Sequence, residues 1–441
     1  MSDIKADVIR AKSAAIVLSA ADTQSKNKAL DAMADALDAS RKKILDANAE
    51  DMRAAGEMKE KGELTEAMVK RLAVNNEKID GMIAGIRDVM RLKDPVGETI
   101  ATTEMDDGLT LYQVRCPIGL IGTIFESRPD VVPQIMSLCL KSGNAVVFKG
   151  GKEASNTNKA LFGILSEAAY GTGIPKGVFC LMETRDDVSS ILKMDGHIDL
   201  LIPRGSNEFV RYIQENTKIP VLGHAAGICH VYVDEFADEE KALSVALDSK
   251  IQYPAVCNAV ENLLVNEKIA RSFIPKMVSL FVRNGVEVRA DAETKRIIGN
   301  DPKVIGAKTS DWDEEYNDMI ISIKVVRSLD EAIDFVNTHG SKHTDAIVTE
   351  NMRNASRFAD LVDSSSVMVN ASTRFSDGFR YGKGAEVGIS TNKVHSRGPV
   401  GMEGLMIYKY VLVGNGHVVK DYTGKDARKF RHRTVRKELR M

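Results

Sequence analysis

The sequence has no hydrophobic run long enough to cross a membrane and almost no net charge. A membrane-spanning helix needs about 18 apolar residues, and no stretch of this chain approaches that length. Met1–Arg10 also lacks the apolar centre of a signal peptide. The formal net charge is -2, so no overall field favours nucleic acid or a membrane surface as a partner. We therefore expect a protein that binds neither.

Cysteine is scarce and scattered, which argues against two common frameworks. The five cysteines contain no CxxC pair, so we expect neither a disulfide scaffold nor a zinc site, and we expect a cytoplasmic protein. The eight histidines show no HExxH spacing. His339 and His343 have the spacing of a metal pair, but Gly340 interrupts the helix that would align them. We predict a hydrogen-bonded loop there and no metal site.

The hydrophobic pattern predicts an α/β protein. The 441 residues, of which 44% are hydrophobic and 28% charged, are typical of two or three globular domains. Residues 1–92 have helical periodicity, for example at Leu30, Met33 and Leu37, and are predicted to cover a sheet. From residue 118 to 233, and again from 258 to 370, short apolar strands alternate with helices. This predicts two doubly wound parallel sheets, which bind ligands at the carboxyl ends of their strands.

Two strands lie outside this alternation, at Leu109–Arg115 and Leu405–Val413. They are predicted to pair in a small separate sheet. Exposed strand edges attract other strands, so this sheet predicts a subunit contact in a homo-oligomer, a dimer or larger. An ordinary edge within one chain is the alternative.

The C-terminal end is basic. Beyond Val419 the chain carries nine Lys and Arg residues against three Asp and Glu residues. Such a tail is solvated or packed against a subunit, or else it binds RNA or another anionic partner.

These features divide the chain into four predicted parts. Residues 1–245 form the N-terminal helices and a nucleotide-binding α/β domain, interrupted by the strand at 108–118. Residues 246–385 form a catalytic α/β domain. Residues 386–418 form a return segment with the oligomerisation strand, and residues 419–441 form the basic tail.

Cys257 occupies a position where a thiol can meet a substrate. The acidic turn Asp238–Glu240 begins an amphipathic helix, Pro254 ends it, and Asn262–Val265 has the pattern of a buried strand. Cys257 is therefore predicted to lie on a short loop between a helix and a strand. A buried cysteine that only packs is the alternative for any free thiol.

Two other places suit a nucleotide. Gly205 and Ser206 lie between a strand and a helix, where Ser206 would cap the helix and free N–H groups would hold a phosphate. Lys149 follows another strand, where its amine would meet a ribose hydroxyl or a 2′-phosphate. Simple capping and a surface lysine are the alternatives, because the GxGxxG fingerprint is absent.

Five segments resemble the γ-glutamyl phosphate reductase branch of the aldehyde dehydrogenase superfamily. They are Phe125–Asp130, Gly143–Ala154, Gln252–Glu261, Val336–Ile347 and Val369–Gly378. The similarity extends over nearly the whole chain to about Val413 and leaves out only the basic tail. It implies an aldehyde dehydrogenase-like fold whose first α/β domain binds NADP(H). The implied reaction is NADPH-dependent reduction of L-glutamyl 5-phosphate to L-glutamate 5-semialdehyde and phosphate, the second step of proline biosynthesis from glutamate.

The resemblance also implies roles for particular residues. Cys257 is the nucleophile that forms a thioester, whose carbon then accepts hydride. Lys149 and the Gly205–Ser206 helix start resemble contacts to the ribose and pyrophosphate of the cofactor. Glu315 resembles the carboxylate that holds the nicotinamide ribose.

The substrate itself needs paired polar groups, because its amino-acid head is zwitterionic. Arg128, Asn370 and Arg374 are the candidates within the matching segments. A structural hydrogen bond is the alternative role for each of them.

Two departures from the superfamily bear on the chemistry. Oxidising relatives carry a glutamate that activates water to hydrolyse the thioester, whereas the comparable stretch here, His224–Gly227, has none. A reductase must avoid this hydrolysis. Relatives also use an asparagine as oxyanion donor, and here either Ser127 or the backbone N–H of Cys257 would serve.

Other readings remain open at this point. A CoA-acylating or oxidising aldehyde dehydrogenase on the same fold is the nearest, and an interaction protein that binds RNA through the tail is more distant. A glutamate 5-kinase that shields the labile acyl phosphate is a further predicted partner.

Overall fold

The computed structural model describes residues 4–182, 187–223, 226–299 and 301–439. The first half of the chain contains α1 (Ile4–Leu18), α2 (Thr23–Ala39), α3 (Arg41–Glu60), α4 (Glu66–Leu72), α5 (Asn76–Arg91), β1 (Thr99–Asp106), β2 (Leu109–Pro117), β3 (Leu120–Phe125), α6 (Val131–Ser142), β4 (Ala145–Gly150), α7 (Ser155–Gly171), β5 (Phe179–Met182), α8 (Asp187–Ile191), β6 (Leu200–Arg204) and α9 (Asn207–Glu215). The second half contains β7 (Cys229–Val233), α10 (Glu239–Ile251), β8 (Val260–Asn266), α11 (Glu267–Arg283), β9 (Glu287–Ala290), α12 (Ala292–Ile298), β10 (Val304–Gly306), β11 (Ile320–Val326), α13 (Leu329–His339), β12 (Thr344–Val348), α14 (Met352–Leu361), β13 (Ser366–Val369), β14 (Gly388–Ser390), β15 (Gly398–Val400), β16 (Met406–Val413) and β17 (Arg433–Val435).

The chain divides into two compact units. The first comprises the residues up to Gly205, Tyr212–Val221 and the residues from Val400 onwards. The second comprises Ser206–Arg211 and Leu222–Pro399.

A four-stranded parallel sheet with the order β5-β4-β3-β6 lies at the centre of the first unit. All six residues of β3 are buried, as expected for a parallel strand that helices cover on both faces. The N-terminal helices supply part of this cover, because α1 packs on β4 and β5 while α2 packs on α6 and α7. The predicted helical layer is therefore confirmed.

A second, antiparallel sheet in the same unit has the order β16-β2-β1-β17. The predicted pairing of β2 with β16 is confirmed and runs from Met406 opposite Pro117 to Val413 opposite Thr110. The other two strands were not predicted. Strand β17 comes from the basic tail and pairs with β1.

Ion pairs fix the basic tail on this sheet. Arg431 donates to Asp107 at 2.6 Å and Arg428 pairs with Asp106 at 2.8 Å. Arg433 pairs with Glu104 at 3.2 Å. The tail is thus a strand held by charge on its own unit.

The second unit contains a seven-stranded parallel sheet with the order β10-β9-β11-β8-β7-β12-β13. Its core consists of two clusters, one that includes Val231 and Leu263 and one that includes Tyr232 and Leu264, the residues that alternate with them along β7 and β8. Two parallel sheets and a small antiparallel sheet were predicted, and all three are confirmed.

Two details differ from the sequence-based expectations. The predicted boundary at residue 245 would place β7 with the nucleotide-binding sheet, whereas β7 pairs with β8 and β12. The sequence of an apolar strand does not indicate which sheet the strand joins, so the hydrophobic pattern alone could not place β7 in the second sheet. Pro220–Leu222 forms only a single bridge, between Leu201 and Val221, instead of a strand.

None of the helices in the described ranges is long and apolar enough to cross a membrane.

Candidate active site

Cys257 lies on the loop between α10 and β8, as the sequence predicted. Helix α10 is capped by Asp238, whose side chain accepts the N–H of Lys241, and Pro254 follows soon after the helix ends. Cys257 is half-buried and its carbonyl accepts a hydrogen bond from the Cys229 thiol at 3.2 Å. The nucleophile candidate is thus partly accessible, and its backbone is hydrogen-bonded to Cys229 at the start of β7.

Gly227 presses directly on this backbone. A Cβ added to Gly227 would lie inside 3.0 Å of the carbonyl oxygen and Cα of Cys257, and 2.5 Å from its Cβ. Only glycine fits this approach. The preceding His224 and Ala225, part of the stretch predicted to lack the hydrolytic glutamate, lie outside the described residues.

A short turn at Thr373–Phe375 clamps the Cys257 loop. The Thr373 hydroxyl donates to the carbonyl of Asn258 at 2.7 Å, and the Asn258 amide donates to the carbonyl of Ser376 at 2.9 Å. Arg374, which is 8% exposed, donates from Nε to the side chain of Gln252 at 2.8 Å. The two segments, more than 100 residues apart in sequence, therefore form one structural element.

The guanidinium of Arg374 is buried close to a second arginine. Burial lowers the pKa of Arg374, and the neighbouring Arg380 lowers it further, whereas the charge of Cys257 acts in the opposite direction. Arg374 therefore keeps a buried cation beside the Cys257 loop. Sequence reasoning predicted Arg374 as a contact to the amino-acid head and missed Gln252, which orients it.

Asn370, a predicted substrate contact, has both polar atoms of its side chain bonded to Thr349. Its side-chain oxygen accepts the N–H of Thr349 at 2.8 Å, and its amide donates to the carbonyl of Thr349 at 2.9 Å. Its backbone is left-handed, with φ of 54°. These two bonds use the amide to hold the end of β13 against β12.

Glu315 lies beside the start of α9. The side-chain amide of Asn207 donates to the Glu315 carboxylate at 2.8 Å. Ser206 caps the same helix, because its hydroxyl accepts the N–H of Phe209 at 3.4 Å. Gly205 follows the end of β6, as predicted. The structure therefore brings the predicted phosphate-binding turn and the predicted ribose carboxylate together.

Ser127 in the first unit is buried and has a left-handed backbone, with φ of 49°. Its backbone N–H and its hydroxyl both donate to Glu153, at 2.6 and 2.9 Å. The hydroxyl is thereby engaged, which weakens the case for Ser127 as oxyanion donor. Arg128, next to it, is half-buried in the turn before α6. Sequence reasoning did not identify Glu153 as the partner that holds this turn.

A pocket at the carboxyl end of β4 is lined by three lysines. Lys149, Lys152 and Lys159 share it with Ser155 and Asn158. The Lys149 amine donates to the carbonyl of Gly150 at 2.6 Å. Lys152 also pairs with Glu63 at 3.1 Å, and the pocket presents cationic side chains at the carboxyl end of a parallel strand.

His339 ends α13, and the loop after it, which contains His343, lies next to the Cys257 segment. The Ser341 hydroxyl accepts the backbone N–H of Ile228 at 2.8 Å. Ile228 directly follows Gly227, the glycine that lies against Cys257. His339 bonds to Asp313 at 2.8 Å and His343 lies 2.9 Å from the Thr344 hydroxyl. Within the described ranges no group of three or more His, Cys, Asp or Glu residues could hold a metal ion.

Comparisons with known proteins give one consistent result. The chain matches the aldehyde dehydrogenase family over residues 2–297. It is 61% identical to the γ-glutamyl phosphate reductase of Methanosarcina mazei over 438 residues, 98% of each chain. The crystal structure of γ-glutamyl phosphate reductase from Thermotoga maritima matches with a TM-score of 0.90 at 43% identity, over 95% of this chain and 100% of that one. An acetylating aldehyde dehydrogenase from Geobacillus thermoglucosidasius, at 17% identity, a TM-score of 0.64 and coverage of 95% and 97%, shares the fold alone.

Proposed function

The chain belongs to the aldehyde dehydrogenase family and, within it, to the γ-glutamyl phosphate reductases, and from this premise we propose how its residues carry out the reaction. The reaction is the reduction of L-glutamyl 5-phosphate to L-glutamate 5-semialdehyde with release of phosphate, in proline biosynthesis. The observation that carries the proposal is the half-buried Cys257 on a loop clamped to the turn that contains Arg374.

Cys257 acts first, as a nucleophile. Its thiolate forms a bond to the acyl carbon, the bond from that carbon to the phosphate oxygen breaks, and phosphate leaves with the electron pair. The product of this step is a thioester on Cys257.

The second half of the reaction regenerates the thiolate. When bound, NADPH supplies the hydride that reduces the thioester carbon. The alkoxide left on that carbon needs a donor, and the backbone N–H of Cys257 is the better candidate because the Ser127 hydroxyl already donates to Glu153. The carbonyl then re-forms, the carbon–sulfur bond breaks, and Cys257 leaves as thiolate while the aldehyde departs.

Arg128 and Arg374 are the proposed contacts to the substrate's carboxylate. A guanidinium binds a carboxylate through two parallel hydrogen bonds, which fixes both position and orientation. Asn370 contributes by holding the strand end through Thr349.

Members of this family use a nicotinamide cofactor, and we assign NADP(H) to this chain. The support is the pocket lined by Lys149, Lys152 and Lys159, whose cations suit a 2′-phosphate. Glu315, Gly205 and Ser206 would hold the remaining ribose and pyrophosphate. The preference can be measured as the ratio of the Kd values for NAD and NADP, which should fall by about tenfold or more in Lys159→Met, one lost charge-assisted contact. An unchanged ratio would assign the phosphate elsewhere.

The activity is tested in the reverse direction. Pyrroline-5-carboxylate, phosphate and NADP are mixed, and reduced nicotinamide is followed by absorbance for wild type and for Cys257→Ala. Phosphate-dependent reduction that is lost in the variant is the expected result. Reduction that needs CoA, or that proceeds without phosphate, would instead identify an acylating or an oxidising dehydrogenase.

Assembly and compartment are further parts of the proposal. We assign the exposed strand β16, where Tyr408 and Tyr410 are 52% and 62% exposed, to a contact between two copies of the chain. The cytoplasm fits the five cysteines, all within the described residues, none of which forms a disulfide. A contact with glutamate 5-kinase, which would shield the acyl phosphate from water, stays a prediction.

A further inference from the structure

Lys250 and Glu261 form a fully buried ion pair on the two sides of the Cys257 loop. Lys250 is in the last turn of α10, and Glu261 is the second residue of β8. Their charged atoms are 2.6 Å apart, and their side chains are 0% and 1% exposed. The loop that carries the nucleophile is therefore anchored at both ends by one interaction.

A buried ion pair is not the most stable way to fill this part of the core. Removing two charges from water costs several kcal/mol or more, and a hydrophobic pair of similar volume is often as stable or more stable. Burial is the dominant effect on Glu261, since it raises the pKa of this carboxyl to about 7 even though Lys250 is adjacent. Burial also lowers the pKa of Lys250. Stability alone does not account for the pair, so its directional geometry is the feature to explain.

The second oxygen of Glu261 extends the anchor to another segment. The backbone N–H of Asn317 points to this oxygen at 3.4 Å. Asn317 has a left-handed backbone, with φ of 54°, and comes two residues after Glu315. Between them, Tyr316 lies with its ring 6.0 Å from the Lys250 amine and its hydroxyl 2.7 Å from Ser322. Lys250 and Glu261 thus touch both the base of the Cys257 loop and the segment that presents Glu315.

We propose that Lys250 and Glu261 are positioning residues that set the Cys257 loop and the Glu315 segment in a single arrangement, so that the nucleophile and the nicotinamide ribose are placed together. This inference rests on the proposed function for the role of Glu315. Neither side chain is assigned contact with substrate or cofactor.

The test compares three variants with one control. Glu261→Gln keeps the shape but cannot satisfy both Lys250 and Asn317 as acceptor, Lys250→Met removes the cation, and the double variant removes both charges. Lys241→Met is the matched control, because Lys241 is on the same helix and its pair with Glu350, at 2.8 Å, is exposed on both sides. Thermal unfolding is measured for every protein.

Two readouts report positioning without turnover. The first is the rate at which iodoacetamide alkylates Cys257, followed by mass spectrometry of its peptide in protein without nucleotide. The second is the Kd by calorimetry of NADP⁺ and of 2′,5′-ADP, which lacks the nicotinamide half and so does not reach Glu315.

In the double variant we expect unfolding close to that of wild type but alkylation of Cys257 slower by about tenfold, the size of a small misplacement. We also expect the Kd of NADP⁺ to rise about tenfold while that of 2′,5′-ADP stays within about twofold. The control should match wild type in both readouts. If the double variant does not fold, Glu261→Gln, which preserves the shape, is judged by the same criteria.

Two results would overturn the inference. One is a folded double variant whose alkylation rate and NADP⁺ affinity both match wild type, which would reduce the pair to a filler of the core. The other is an equal loss of affinity for both nucleotides, which would indicate a general disturbance. Should wild type itself fail to bind NADP⁺, the proposed function falls, and the alkylation rate alone decides this inference.

Discussion

Replacing Gly227 with alanine should lower kcat, because the added methyl group forces Cys257 to move. The added methyl would lie inside 3.0 Å of three Cys257 atoms, and two of them belong to the backbone. Backbone cannot rotate away as a long side chain can. Either the Cys257 loop or the segment before β7 must therefore shift.

The size of the shift follows from ordinary contact distances. Carbon atoms in contact are 3.4 Å or more apart, whereas the new methyl would start 2.5 Å from the Cβ of Cys257 and nearer to its carbonyl oxygen. Relief requires a displacement of about 1 Å, and a misplacement of that size can lower a rate by about 100-fold. The corresponding barrier increase is about 2.7 kcal/mol. Crowding of this kind in a packed interior costs about 1–3 kcal/mol of stability.

The assay measures kcat in the reverse reaction and the unfolding free energy in urea on the same preparations. Gly163→Ala is the matched control, because this glycine is inside α7 and an added Cβ would have nothing within 4 Å. Alanine in a helix interior stabilises by about 0.5–1 kcal/mol relative to glycine. We therefore expect the control to be fully active and slightly more stable.

The reasoning fails if Gly227→Ala retains kcat within about twofold of wild type while its stability also stays within about 0.5 kcal/mol, the usual range for neutral substitutions. Such a result would mean that the loop tolerates the methyl without moving Cys257. A variant that lost stability but kept kcat per folded molecule would separate packing from positioning and would also count against the argument.

Three further predictions concern other parts of the molecule. Burial raises the pKa of Glu261 to about 7 from 4.5, so the folded chain holds a proton there that the unfolded chain releases, and the free energy of unfolding should fall as pH rises from 4.5 to about 7. Urea titrations should show this slope flattened in Glu261→Gln, and parallel curves would contradict it. The pKa of Asp106 is lowered by the N–H of Asp107 and the Tyr422 hydroxyl, so its contribution is present above pH 3.8 and is lost as pH falls through the lower folded value. The protection factors of the Arg433–Val435 amides, which correct for the intrinsic slowing of exchange in acid, should therefore fall in acid, and at neutral pH in Asp106→Asn. Unchanged protection factors would show that charge does not hold the tail. Tyr410→Glu should reduce the sedimentation coefficient by breaking the contact at β16, whereas Met352→Glu, at a residue 68% exposed on α14, should not, and an unaltered Tyr410 variant would assign the subunit contact elsewhere.

The sequence predicted the elements that carry a strong apolar pattern. Strands such as β3 and β4 are short runs of buried apolar residues between turns, and they were located within a few residues. Strand β1 has the sequence Thr99–Asp106, in which most side chains are polar or small, and it was missed. Strand β17 was missed because it is short and its segment is held by ion pairs of Arg428, Arg431 and Arg433 with acidic residues more than 300 positions away in sequence.

The same limit applied to the site. The loop position of Cys257 followed from local signals, because Pro254 and the apolar run after it bound a short connection. The sequence did not predict the partners of the site residues. Gln252 and Arg374, like Ser127 and Glu153, are distant in sequence and come into contact only in the folded chain. Asn370 shows the same limit. Its polar side chain in a matching segment predicts a substrate contact, and the fold adds two bonds to Thr349 that the sequence did not indicate.

The strand that the basic tail contributes changes which strand edges the small sheet exposes. In the described part of the chain, β17 pairs with Thr102–Glu104 of β1, so β16 and β17 are the two edges of the four-stranded sheet. Strand β17 has three residues, whereas β1, which it partly covers, has eight. A short edge strand with a charged side chain offers few free backbone groups to another chain. The tail therefore protects the sheet against unwanted strand pairing at this edge and leaves β16, with eight residues, as the longer unpaired edge.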